Sequence, residues 1–312
     1  MKPRALFFGT PEFAVPSLDA LTRVADVVGC VCQPDRTSGR GMALAPPPVK
    51  VRALELGIPI VSPTRLRTGE FGAWAREQAV DVALVVAYGR ILPRDVLDAP
   101  RLGCVNVHAS LLPKYRGAAP ITWALVNGEV ETGITLMLLD EGMDTGKILD
   151  KLVIKIDENE TAGALSTKLA AVGAEALGAG LPRYISGGYV PLAQDDAEAS
   201  LAPMLKKEDG RIDWSKSASA VHNHVRGMNP WPGAFTRAHG KVVKIHQTLV
   251  VRGIEAQAKS GEVLFADKSR LIVATGAGAV EVLSIQLEGK KAIRGIDWVM
   301  GRGIAIGDVL GL

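Results

Sequence analysis

Val80-Asp81-Val82-Ala83-Leu84-Val85-Val86-Ala87 and, one helix-length later, Gly103-Cys104-Val105-Asn106-Val107-His108 are near-continuous apolar runs. A strand that is apolar on both faces is covered on both faces, as in a parallel sheet sandwiched between helices. Upstream, Arg4–Phe8 and Asp26–Cys32 read as further strands, and downstream so does Thr132–Asp140. Helical segments fall between them. One is capped by Thr10, with Pro11 at its first position, and runs to Arg23. Another opens at Pro46-Pro47-Pro48 and stops at Gly57, and a third covers Pro120–Asn127. Strands alternating with helices predict an α/β fold with a doubly wound, mostly parallel sheet.

Near residue 200 the character changes. Val242–Val251, Gly261–Phe265, Leu271–Ala274 and Val280–Gln286 are short, alternating and separated by Gly, Asp and Ser turns, which predicts a small β-barrel or sandwich. The expected domains are 1–205 and 206–312. Length agrees, since 312 residues make about two domains at the usual size.

Composition removes several classes. Forty-seven per cent hydrophobic with 22 % charged residues excludes a disordered or fibrous chain. Ile134–Leu139, among the longest apolar runs, is far short of the roughly 18 residues of a membrane span. The start, Met1–Gly9, is basic but lacks a signal-length apolar core, so a soluble cytoplasmic protein is expected. Cys30, Cys32 and Cys104 are an odd set without C-x-x-C spacing, which fits a reducing compartment. Charge is uneven. Residues 1–200 carry 20 Lys and Arg against 23 Asp and Glu, net −3, whereas residues 201–312 carry 16 against 10, net +6. A basic second module beside a slightly acidic first one points to a polyanionic partner.

The first strand-to-helix turn, Phe8-Gly9-Thr10-Pro11-Glu12-Phe13, has one glycine where a dinucleotide site needs three. A P-loop and a serine-hydrolase elbow are also missing from the sequence. What remains is a polar constellation. Asn106 and His108, two apart on a strand, point to one face. The loop Asp140-Glu141-Gly142-Met143-Asp144-Thr145-Gly146 can turn a carboxylate back toward them. Amide, imidazole and carboxylate without a nucleophilic Ser or Cys suggest direct attack of a substrate group on a carbonyl. By themselves they are more simply a polar strand end and a solvated turn.

Context comes from longer matches. Asn106–Pro113 with Lys114-Tyr115-Arg116-Gly117 and Gly142–Gly146 resembles the N10-formyltetrahydrofolate formyltransferase superfamily. Phe8–Phe13, Gln33–Gly41, Val86–Gly89, Arg211–Ser215 and Asn229–Ala234 resemble its branch that acts on charged initiator tRNA, over essentially the whole chain. The resemblance implies a Rossmann-like catalytic domain, a C-terminal OB-like barrel, and formyl transfer from 10-formyltetrahydrofolate to the α-amino group of methionyl-initiator tRNA. It implies Asn106, His108 and Asp144 as catalytic residues. For folate it implies Ser110, Leu111, Leu112 and Pro113, together with Tyr88, Gly89, Ile91 and Leu92 and the Leu138–Asp144 loop. Arg90 reads either as a solvent-facing charge or as a contact to the folate tail.

For tRNA the resemblance implies the Pro34–Val49 loop with Arg36 and Arg40, then Lys206 and Lys207, with Arg237, Lys241, Lys244, Lys290, Lys291 and Arg294 as further cations. No metal is implied, and His222 and His224 point to different helix faces. Trp231 reads as a packing anchor. A monomer is expected. The competing acceptor within the superfamily is an amino-sugar nucleotide or another small amine, and the basic C-terminal module favours tRNA over it.

Overall fold

The computed structural model describes residues 2–38, 43–254 and 258–311. It contains two compact units, one built from residues 1–120, 131–154 and 166–202, the other from residues 121–130, 155–165 and 203–312. Two short pieces of the first two-thirds thus pack with the C-terminal module, which a linear cut at 205 assigns to the first.

The first unit's sheet comprises β1 (Arg4–Gly9), β2 (Asp26–Val31), β3 (Ile60–Val61), β4 (Val82–Val86), β5 (Cys104–His108), β6 (Glu131–Leu138) and β7 (Ile148–Lys155). Their spatial order is β7-β6-β5-β4-β1-β2-β3. The pairs from β3 to β5 are parallel, and β6 runs antiparallel to β5 with His108 opposite Thr135 and Asn106 opposite Met137. Burial follows position. Every residue of β4 and β5 is buried, whereas β7, at the edge, alternates in its second half. Helices α1 (Val15–Val24), α2 (Pro48–Glu55), α3 (Glu70–Glu77), α4 (Arg94–Leu97) and the long α6 (Ala162–Ile185) connect or follow these strands. Phe8, Phe71 and Tyr88 pack edge-on in the core, with ring centroids 5.5 Å apart for Phe8 and Tyr88.

One local expectation fails at the first helix. The chain leaves β1 through a 3-10 turn, Glu12–Ala14, so Pro16 rather than Pro11 lies in the first turn of α1. Thr10 caps nothing there: its hydroxyl accepts from the Gln33 N–H at 3.4 Å and donates to the Tyr88 carbonyl at 3.1 Å.

In the second unit, α5 (Pro120–Val126) lies mostly within its inserted segment, and α7 (Ala218–Gly227) is capped by Ser217, whose hydroxyl accepts from the Ala220 N–H. The antiparallel sheet contains β8 (Phe235–Ala238), β9 (Lys241–Val251), β10 (Val263–Ala266), β11 (Leu271–Ala274), β12 (Ala279–Leu287) and β13 (Ala292–Arg294), followed by α8 (Gly295–Met300). Its order is β8-β9-β12-β11-β10, with β13 on β12. Residues 308–311 join the two edges: the Leu310 and Val263 amides exchange bonds with Gly261 and Asp308, and the Gly311 amide donates to the Arg237 carbonyl. That strip curls the sheet into a barrel-like form and leaves less edge exposed. Trp214 and Trp298 fill this core, with the Trp214 indole donating to the Thr236 hydroxyl at 2.9 Å. Trp231, expected as the anchor, is 54 % exposed. Its flanking prolines hold it in a surface turn that the core does not reach.

Candidate active site

β5 positions two of the three candidate catalytic side chains. It is paired on both sides, so Cys104, Asn106 and His108 share one face of the sheet. Asn106 is 8 % exposed, and its side-chain amide has no hydrogen-bond partner among the described residues. Its amide atoms are not among the fully enclosed unpaired atoms, so they keep contact with solvent. Unspent donors fixed on a rigid strand are what a developing oxyanion requires.

His108, also buried, has Nε2 2.9 Å from the Tyr115 carbonyl oxygen. A carbonyl only accepts, so Nε2 carries the proton and Nδ1 is the free nitrogen of the neutral ring. Nδ1 faces Asp144 Oδ2 at 3.7 Å, near enough for charge to act and too far for a hydrogen bond. Asp144 Oδ2 in turn accepts from the Gly117 N–H at 2.8 Å. Tyr115 at φ +63° and Asp144 at φ +56° are non-glycine residues in the left-handed region. Each such residue costs about 1–2 kcal/mol, a cost that clusters at functional sites. Gly117 needs its freedom: at φ +124° it lies against the Ala202 carbonyl, which an added Cβ would approach to 2.6 Å.

The loop after β5 is held by internal bonds. The Thr135 hydroxyl donates to the Ser110 carbonyl at 2.6 Å and accepts from the Leu112 N–H at 3.1 Å. The Ser110 hydroxyl donates to the Lys114 carbonyl at 2.7 Å. Asp140 shapes the other loop, accepting from the Gly142 N–H and the Thr145 hydroxyl. Thr135 was missed in the sequence, although a lone hydroxyl inside an apolar strand is a readable signal. Gln194 and Ser200, which also bond to these loops, gave none.

The expected folate residues divide. Ser110 and Leu112 are fully buried and serve the loop itself, while Leu111 and Pro113 are half-buried. The Tyr88 ring is turned into the core and is 2 % exposed, with burial pushing its phenol up to about 12. Its carbonyl accepts from Thr10 and Gln33, and its hydroxyl, enclosed in the core, has no hydrogen-bond partner among the described residues. Gly89 and Ile91 are exposed and Leu92 is buried. Arg90 Nη1 donates to the Pro63 and Thr64 carbonyls at 2.9 and 3.1 Å, so this side chain is anchored rather than simply solvent-facing. A cavity of about 540 Å³ lies along the loop that carries Asp144, lined by Leu97, Leu102, Cys104, Leu138 and Leu139, with Arg94, Asp98 and residues 140–142 also contributing. The volume suits a small-molecule site. Cys104 lies two residues from Asn106 on the same face, about 7 Å along the strand. Burial pushes its thiol up to about 12, so it is an apolar wall and no nucleophile.

Among the expected tRNA residues, Arg36 has its backbone in a small hairpin of Arg36–Ser38 with Ala43–Ala45, and Arg40 lies outside the described residues. Asp35, just before that hairpin, is tied to Lys50 at 2.7 Å. Lys206 and Lys207 are exposed, as are Lys241, Lys244, Lys290 and Lys291. Arg294 is paired with Asp297, and Arg237 donates to the Gly240 carbonyl. Among the described residues no group of three His, Cys, Asp or Glu could hold a metal ion, and no helix is long and apolar enough to cross a membrane.

Comparison with known proteins bears on this geometry. Residues 3–181 match the formyl transferase family and residues 204–303 match the formyl transferase C-terminal domain. The methionyl-tRNA formyltransferase of Sorangium cellulosum is 53 % identical over 309 residues, covering 99 % of both chains. That of Geotalea uraniireducens is 47 % identical, covering 99 % of this chain and 98 % of its own. In fold, the chain resembles an N-formyltransferase from Helicobacter canadensis solved with folinic acid and dTDP-3-aminofucose, with a TM-score of 0.67 at 20 % identity over 90 % of this chain and 99 % of that one.

Proposed function

This chain belongs to the formyl transferase family, and we propose that it transfers the formyl group of 10-formyltetrahydrofolate to the α-amino group of methionine on initiator tRNA. The observation that carries this reading is end-to-end identity of 53 and 47 % with methionyl-tRNA formyltransferases, C-terminal module included. The sugar-directed relative, at 20 %, speaks to fold alone.

The donor fits the residues present. The apolar walls of the 540 Å³ cavity suit the face of a pterin, and the backbone of residues 140–142 can read its edge. Asn106 donates to the oxygen of the tetrahedral intermediate with an amide the protein leaves unspent. The methionine nitrogen bonds to the formyl carbon, the bond from that carbon to N10 breaks, and one proton passes from the amine to N10. His108 Nδ1 and Asp144 Oδ2, 3.7 Å apart, are the groups to carry that proton. pH–rate profiles of His108→Asn and Asp144→Asn separate base from acid.

Residues 34–49 and the exposed lysines of the second unit receive the tRNA, the loop at its acceptor end and the lysines on its phosphates. The enzyme acts in the cytoplasm and one chain suffices for the chemistry. The deciding experiment offers 10-formyltetrahydrofolate with either methionyl-initiator tRNA or an amino-sugar nucleotide. Formylation of the tRNA is expected, and formylation of the sugar alone would overturn the assignment.

A further inference from the structure

The segment that follows α6 within the first unit is threaded along both catalytic loops. The Leu192 amide and carbonyl pair with Ile148 beside the Asp144 loop. The Ser200 hydroxyl accepts from the Tyr115 N–H at 2.9 Å, its carbonyl accepts from the Arg116 N–H, and Leu201-Ala202 pairs with Arg116-Gly117. Those are the residues flanking the carbonyl that holds His108 and the amide that holds Asp144.

Gln194 lies between these contacts. Its Nε2 donates to the carbonyls of Asp144 and Gly146, both at 2.8 Å, and its Oε1 accepts from Arg116 Nε at 3.0 Å. The amide orientation is fixed by chemistry, since both carbonyls need a donor and the guanidinium needs an acceptor. Arg116 is 7 % exposed, and its Nη2 lies 2.8 Å from Asp196 without the alignment of a hydrogen bond. Gln194 is therefore the one described side chain seen to bond simultaneously to the backbone of Asp144 and to the loop that presents the Tyr115 carbonyl and Gly117 amide. Asp144 is in the left-handed region, a conformation that persists only where neighbours enforce it.

We propose that Gln194 is a positioning residue for the reaction, clamping the Asp144 loop to the Tyr115–Gly117 loop so that Asp144 and His108 keep their separation. The proposal rests on the formyl transfer assigned above. Gln194 reaches no reacting atom. It acts through two peptide carbonyls.

Gln194→Glu keeps the oxygen facing Arg116 and puts an oxygen where two carbonyls need a donor. A displacement of about 1 Å at a reacting group costs about a hundredfold in rate, so kcat should fall by about ten- to a hundredfold while KM for both substrates changes little. Hydrogen exchange across residues 140–146 should quicken in the same variant. Asp196→Ala, which removes the exposed partner of Arg116 and leaves Gln194 in place, should keep kcat near that of the wild type. Gln194→Met supplies a neutral variant of similar length. Wild-type kcat in Gln194→Glu, a rise in KM alone, or unfolding of both Gln194 variants would overturn the proposal, the last by making the residue merely structural. A wild-type chain inactive on methionyl-tRNA would instead remove the assigned reaction, and the exchange comparison would still read the clamp.

Discussion

Asn106→Leu separates the chemistry of the site from its stability. The two side chains have the same number of heavy atoms and the same branch point, and Asn106 is 8 % exposed on β5 without a hydrogen-bond partner among the described residues. Neither amide atom is among the fully enclosed unpaired atoms of the fold, so the group keeps contact with solvent and the fold draws no stability from an internal bond to it. The variant should unfold in urea near the wild-type midpoint. Catalysis should fall. Loss of one oxyanion donor costs about 3–4 kcal/mol of transition-state stabilisation, or a factor of about 10²–10³ in kcat. Single-turnover formylation of methionyl-tRNA, with both substrates saturating, measures that loss free of binding effects. A variant destabilised by more than about 2 kcal/mol would show that the amide is structurally paired after all. A kcat within about tenfold of wild type would show that the oxyanion is held by other donors.

Arg40→Ala should lower activity on tRNA more than affinity for folate, read from kcat/KM with tRNA varied and from direct folate titration; equal losses would remove the loop's assigned role. Lys206→Glu with Lys207→Glu should weaken tRNA binding and flatten its log–log salt dependence by about two, one counterion step per lost phosphate contact. A parallel shift at unchanged slope would place both lysines off the RNA. Stability should also depend on pH through His222 and His224, whose folded values burial holds below the ordinary 6.5. His222 is a neutral bridge, with Nε2 donating to the Glu158 carbonyl and Nδ1 accepting from the Thr248 hydroxyl. Stability from a depressed value is present above the unfolded pKa and drains as pH falls through the folded one. Urea midpoints should therefore drop between pH 7.5 and 5.5, and the drop should shrink in His222→Gln with His224→Gln.

The parts of this molecule legible in the sequence depend on local periodicity. β4 and β5 read as runs because both their faces are buried, and the shared face of Asn106 and His108 follows from a spacing of two. Parts decided by distant partners stayed hidden. Thr10 reads as a helix cap because its neighbours look helical, yet the acceptor that claims its hydroxyl is 78 residues away. Arg90 reads either as a solvent-facing charge or as a folate contact, because the two carbonyls that anchor it belong to residues 63 and 64. Trp231 reads as core by its type, and only the folded second unit shows that Trp214 and Trp298 have filled that core. Gln194 is invisible for a different reason. It works on peptide carbonyls, which every residue has, so no side-chain pattern at positions 144 and 146 announces it.

The charge asymmetry also changes meaning once partners are assigned. In the second unit Arg270 and Arg294 are paired with Glu281 and Asp297, and Arg226 is buried against the Asp157 and Glu160 carbonyls. Arg226 is spent within the fold, whereas Arg270 and Arg294 stay exposed in surface ion pairs. The exposed lysines, Lys206, Lys207, Lys241, Lys244, Lys290 and Lys291, make no ion pair with another described residue. Arginine brings a rigid planar fork suited to bidentate recognition, whereas a lysine ammonium is a mobile point charge. A surface whose spare charge is largely ammonium attracts a phosphate backbone without reading bases. Discrimination among tRNAs would then fall to the other segment proposed to receive the tRNA, residues 34–49, where Arg36 and Arg40 lie.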